Sequence, residues 1–98
     1  MTRRLVLRPQ AKTELLEARH WYDQQQAGLG EQFALQVDLT VSAVLERPLS
    51  FPVVHGATRR AIVQRFPYGV FFRILSDEIV ILGIVHGHRE PRRWRERQ

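Results

Sequence analysis

An α+β domain in two layers, a helical hairpin packed on an antiparallel sheet in the order β-α-α-β-β-β, is the fold class the sequence predicts. Three observations lead there. Two amphipathic stretches with helical spacing are separated by Gly28 and Gly30. The period changes after Pro48, from helical to the runs of β-branched and aromatic residues that suit strands. Those runs are joined by short turns, so they form a meander whose apolar face needs a cover, and the hairpin supplies it.

The elements follow in order. Arg3 to Arg8 alternates weakly, with Leu5 and Leu7 on one side and Val6 on the other, and reads as a short strand. Pro9 suits the first turn of a helix, where its missing N–H is not needed. From Pro9 to Gln26 apolar residues recur at Ala11, Leu15, Ala18 and Tyr22, with Leu16 and Trp21 widening the stripe. A second helix runs from about Leu29 to Arg47 on the stripe Leu29, Phe33, Val37, Val41 and Val44, with Leu45 beside it. Pro48 cannot continue it. Leu49 to Gly56 reads as a loop. Arg59 to Phe66 and Gly69 to Leu75 read as strands joined by a turn at Pro67. Ile79 to His86 is almost wholly apolar, as befits a central strand covered on both faces. Gly87 to Gln98 is a basic tail containing Pro91 and Trp94.

Composition bounds the function. The chain has 98 residues, 44% of them hydrophobic, and no cysteine. One domain spanning residues 1–98 with a modest core is expected. Disulfides and thiolate metal sites are excluded. No apolar run approaches the roughly 20 residues of a membrane helix, and the N-terminal apolar run is too short for a signal peptide. A soluble, cytoplasmic protein with no membrane association is therefore expected. Net charge is +5, carried by 14 Arg and one Lys (Lys12). It is segregated: +3 over residues 1–8, −3 over 9–50 and +5 over 51–98. The preference for arginine over lysine follows from base composition as readily as from function, but the segregation does not. Basic ends around an acidic middle suit a polyanion or an acidic protein partner.

Three groups are candidates for chemistry. Arg59, Arg60, Arg65, Arg73 and Arg89 lie on or beside the meander; on one face they would form a guanidinium patch for phosphates or carboxylates, and otherwise a solvated sheet surface. His86-Gly87-His88 carries imidazoles suited to acid–base work. His86 ends an apolar strand, so a structural histidine is the competing reading. No metal or cofactor is expected, because zinc needs three or four ligands and no third is evident. In the tail, Trp94 among arginines can stack on bases or dock on the domain edge. Glycine-rich phosphate loops and nucleophile elbows are absent.

The ordered set of local patterns resembles the RelE/ParE superfamily of toxins from type II toxin–antitoxin systems. It comprises Pro9-x-Ala11, Trp21-Tyr22, Gly28-Leu29-Gly30-Glu31-Gln32-Phe33 and Pro48. It continues with Arg65-Phe66-Pro67-Tyr68-Gly69-Val70-Phe71-Phe72-Arg73-Ile74 and ends with Val85-His86-Gly87-His88-Arg89-Glu90-Pro91-x-x-Trp94. The resemblance implies a growth-inhibiting toxin, of the kind also used in plasmid stabilization, held inactive by a co-encoded antitoxin. RelE-like members cut messenger RNA in the ribosomal A site; ParE-like members inhibit DNA gyrase.

For the nuclease branch the resemblance would give His86 or His88 the proton transfers and Arg65, Arg73 and Arg89 the phosphate. The match to that branch is partial. The strand position that carries arginine in RelE-type nucleases aligns with Gly69, their lysines are missing, and Arg95 stands near the position of their tail tyrosine. These departures favour a ParE-like, non-enzymatic inhibitor of gyrase. A domain of this fold that only binds its antitoxin or operator DNA is the third reading. The expected partner is a small acidic antitoxin laid along an apolar and basic groove that includes Arg59, Arg60, Arg65, Arg73, Arg89 and Trp94, with operator DNA bound through the antitoxin.

Overall fold

The computed structural model describes residues 3–87. The chain runs β1 (Arg4–Leu7), α1 (Pro9–Gln25), α2 (Leu29–Glu46), a single 3-10 turn (Pro48–Ser50), β2 (Val53–His55), β3 (Thr58–Ile62), β4 (Tyr68–Ile74) and β5 (Glu78–His86). The strands form one sheet in the order β1-β5-β4-β3-β2, with the helical hairpin on one face. This is the expected two-layer α+β architecture.

The helices form for the reasons their sequences suggest. Pro9 occupies the first turn of α1, and Ala11, Leu15, Ala18 and Tyr22 face the core. Leu16 and Trp21 do not widen that stripe: they are 54% and 53% exposed. On α2 the stripe is as expected, with Phe33, Val37 and Val44 buried and Leu29, Val41 and Leu45 packed at its edge. The two helices touch closely at Gly30, whose N–H donates to Asp23 Oδ1 of the preceding helix at 2.8 Å. That carboxylate satisfies one of the open donors of the α2 N-terminus, since Gly28 has no side chain to do so. No helix among the described residues is long and apolar enough to cross a membrane.

The sheet departs from expectation in three places. β1 pairs with β5 in parallel, Leu5 opposite Ile79 and Leu7 opposite Ile81, so the sheet is mixed at that edge. The connection between them is long, running through both helices and then β2, β3 and β4, as a parallel pair requires. Within the segment expected to be a loop, Val53–His55 forms β2 against the edge of β3. Three residues are too few to show a period, and the strand exists only because β3 offers an unpaired edge. Finally, β3 stops at Ile62 rather than Phe66. Arg65 adopts a left-handed conformation, φ 71°, which ends extended pairing.

A bulge then sets the faces of the central strand. Phe71 pairs with Gly83 but Phe72 with Ile81, so Leu82 is the extra residue on β5. Ile79, Ile81 and Ile84 can therefore all join the helix-side core with Phe72, Val70, Ala61 and Val63. On the far face Phe71 and Val85 pack with Val54. Ile79 through Val85 is buried without interruption, as the apolar run predicts.

Candidate functional site

The expected arginines are distributed by strand alternation. Arg59 pairs with Phe72, a core residue, and so points to the helix-side face. There its Nη1 donates to the Phe51 carbonyl at 2.7 Å, and the Phe51 ring meets Phe72 edge-on. Arg60 pairs with Phe71 and lies on the far face. Its stem crosses Gly69, where an added Cβ would come 3.3 Å from Arg60 Cγ. Arg73 pairs with Val80 and shares that far face. Arg65 stands between β3 and β4, its Nη2 donating to Gln32 Oε1 at 3.4 Å. So Arg60 and Arg73 share the far face but Arg60 leans away toward Gly69, Arg59 is on the other face and Arg65 is in a turn. His88, Arg89 and Trp94 lie outside the described residues.

Arg65 is the one described non-glycine residue with positive φ. Left-handed backbone costs a residue with a Cβ on the order of 1 kcal/mol. Arg65→Gly relieves this but loosens the unfolded chain by nearly as much, so a net gain of at most about 0.5 kcal/mol is expected from a denaturant titration. A loss of stability would mean the Arg65 side chain contributes more than its exposed contact with Gln32 suggests.

His86 closes β5 opposite Tyr68, and the two rings meet edge-on at 5.2 Å. The Gly87 N–H donates to the Pro67 carbonyl and ties off the hairpin end. Two clefts meet here. The one on the helix side is about 580 Å³ and is lined by Glu14, Glu17, Trp21, Tyr22, Tyr68 and His86, among others. The smaller, on the far face, is about 240 Å³ and includes Arg60, Ile62, Phe71 and Val85. Burial, and secondarily the nearby Tyr68, pushes the Tyr22 phenol above its ordinary pKa, so it is a neutral hydrogen-bonding group in this cleft.

Two features of this region were invisible in sequence. Glu14 accepts a hydrogen bond from the Ile84 N–H at 3.0 Å, 70 residues away. It caps the edge of β5 just where β1 ends and α1 begins. Glu14 falls outside the apolar stripe of α1, and nothing in its helical spacing marks this contact. The second is Thr58, which is fully buried with no hydrogen-bond partner for Oγ1 among the described residues. A threonine between Ala57 and Arg59, just before the expected strand, carries no such signal.

The family model for the ParE toxin of type II toxin–antitoxin systems, parDE, matches residues 5–91. The chain belongs to the ParE toxin family. The match runs from β1 through the end of β5 and into the tail. No curated protein matches the sequence. Among solved structures, one described as a chromosomal ParDE TA system from P. aeruginosa superposes with a TM-score of 0.78. The two are 18% identical, over 87% of this chain and 96% of that one. At that identity the likeness speaks to the ParE fold alone, and it agrees with the hairpin-on-sheet architecture described above.

Proposed function

We propose that this ParE-family chain is a growth-arresting toxin that acts on DNA gyrase as a non-enzymatic inhibitor and is neutralised by a small acidic antitoxin encoded beside it. The family match over residues 5–91 carries the reading. The protein works in the cytoplasm as one domain, and the antitoxin brings the pair to operator DNA. The basic charge of the meander half supports an acidic partner, and that complex weakens as salt screens the arginines.

Sheet geometry favours gyrase inhibition over RNA cleavage. A nuclease needs its proton-transfer group and its phosphate clamp around one scissile bond. His86 pairs with Tyr68 at one end of β4, and Arg73 lies five residues along the same strand, on the opposite face. At the usual rise this separates them by about 17 Å. Arg59 is held by the Phe51 carbonyl. The remaining candidates for the nuclease reading are His86 with Arg65, His88 and Arg89.

Induction in cells decides between the readings. Loss of negative supercoiling, with intact messenger RNA and rescue by the co-encoded antitoxin, is the expected result. Codon-phased cuts in messenger RNA with normal supercoiling would overturn it in favour of a ribosome-dependent nuclease. Normal growth at full expression would instead indicate a domain that only binds antitoxin.

A further inference from the structure

The face of the sheet turned away from the helices holds two polar atoms that the fold leaves unused. Arg59 pairs with Phe72 and Arg60 with Phe71, so Thr58 and Arg73 are direct cross-strand neighbours by continuation of the register. Both lie on the far face, as their alternation with Arg59 and Phe72 requires. Thr58 Oγ1 and Arg73 Nε are both buried, and neither has a hydrogen-bond partner among the described residues. Two adjacent orphaned groups in one row of a sheet are unusual, because buried polar groups nearly always find partners. Both can donate, one as a hydroxyl and one as a cationic N–H, so what is missing is an acceptor.

The surroundings define that acceptor. Arg60 shares the face, but its stem lies over Gly69, on the side of Phe71 away from Arg73, and so leaves Arg73 as the guanidinium of this row. Neither arginine is in an ion pair among the described residues. The nearest acid on the face, Glu78, sits two residues from Val80 on β5 and is already paired with Arg4 of β1. Apolar Val80, paired with Arg73, and Phe71, two residues along β4, flank the row. An anion flanked by apolar groups fits this setting better than a heavily hydrated one. A carboxylate accepts from a guanidinium edge in a planar, two-bond geometry and retains a lone pair for a hydroxyl.

We propose that Thr58 and Arg73 form a receptor for a carboxylate side chain presented by an acidic, partly apolar peptide segment of a partner protein. The half-buried Arg73 side chain turns outward to admit the guest, and the orphaned Nε and hydroxyl then acquire their acceptor. This deepens the antitoxin reading and rests on it for the source of the peptide. The test below uses no antitoxin, so its failure leaves neutralisation in growing cells standing.

The probe is a capped peptide alternating glutamate and leucine, titrated into the full-length protein by calorimetry. A matched peptide with glutamine for glutamate and inorganic phosphate are the two controls. Only the glutamate peptide is expected to bind. Thr58→Val is expected to weaken it roughly tenfold, because a hydrogen bond to a charged group is lost. The same substitution is expected to raise the melting temperature, since it removes an unsatisfied buried hydroxyl. Arg73→Gln is expected to abolish binding. A purely structural Thr58 would not combine higher stability with weaker binding, and Thr58→Val keeps its isostere shape if Arg73→Gln folds poorly. Equal binding of the glutamine peptide, or unchanged affinity in Thr58→Val, overturns the proposal. Phosphate binding without peptide binding also overturns it and makes a nucleic-acid backbone the guest.

Discussion

Phe33→Ala is expected to remove about 3–5 kcal/mol of folding stability. Phe33 is fully buried and stands where α2 meets the sheet. Its ring lies 5.2 Å from Tyr22, 5.2 Å from Phe66 and 5.0 Å from Tyr68, centroid to centroid. Three elements thus converge on one side chain: α1 through Tyr22, the β3–β4 connection through Phe66, and β4 through Tyr68. Truncation loses the transfer energy of the ring and leaves a cavity whose walls are fixed by those elements. Aromatic edge-to-face contacts add to the loss. A domain of this size has only about 5–15 kcal/mol to lose, so the melting temperature should fall by roughly 15–30 °C. Thermal unfolding followed by circular dichroism checks it. A shift of only a few degrees would mean that the aromatic cluster collapses into the space without cost. The cleft that holds Tyr22 and Tyr68 would deform with it, so binding at that end of the sheet should weaken as well.

Gly30→Ala is expected to cost about 3 kcal/mol, against the intuition that alanine improves a helix. In isolation the exchange would gain about 1 kcal/mol, because glycine is a poor helix former. Here an added Cβ would lie 2.2 Å from the Arg19 carbonyl oxygen and 2.7 Å from Asp23 Cγ. The first of these is backbone inside α1 and cannot move aside, so the helices must separate. Separation would also break the bond from the Gly30 N–H to Asp23 Oδ1. Clash outweighs propensity. Gly28 offers the contrast. It has φ 88° but open space around its missing Cβ, so Gly28→Ala should cost only the left-handed backbone term, on the order of 1 kcal/mol. Guanidinium titrations of the two variants should rank Gly30→Ala as clearly the worse. Equal losses would show that conformation, not the helix contact, governs this turn.

Glycine position is also where sequence reasoning was partly right for a different reason. Gly28 and Gly30 were legible as a break between helices, and the break is there. That Gly30 is needed for contact with Arg19 and Asp23 follows only from the hairpin being closed. Leu16 and Trp21 show the same limit in reverse. Their spacing placed them beside the α1 stripe, but both stay more than half exposed in the fold, because spacing along one helix does not say how far its cover extends. Of the candidate arginines, strand alternation could separate neighbours such as Arg59 and Arg60, but not say which face the helices would cover.

What the chain alone determined is local: where periodicity changes, where Pro9 starts a helix and Pro48 stops one, which stripe of α2 is apolar, and the ordered motifs that mark the ParE family. Each depends on residues within a turn or two of one another. What tertiary structure decided is non-local. The parallel pairing of β1, the existence of β2, the bulge at Leu82, the hydrogen bond from Ile84 to Glu14 and the juxtaposition of Thr58 with Arg73 all depend on register between segments far apart in sequence. A one-residue slip in pairing turns every side chain to the other face, and no local pattern records which register the whole core will select.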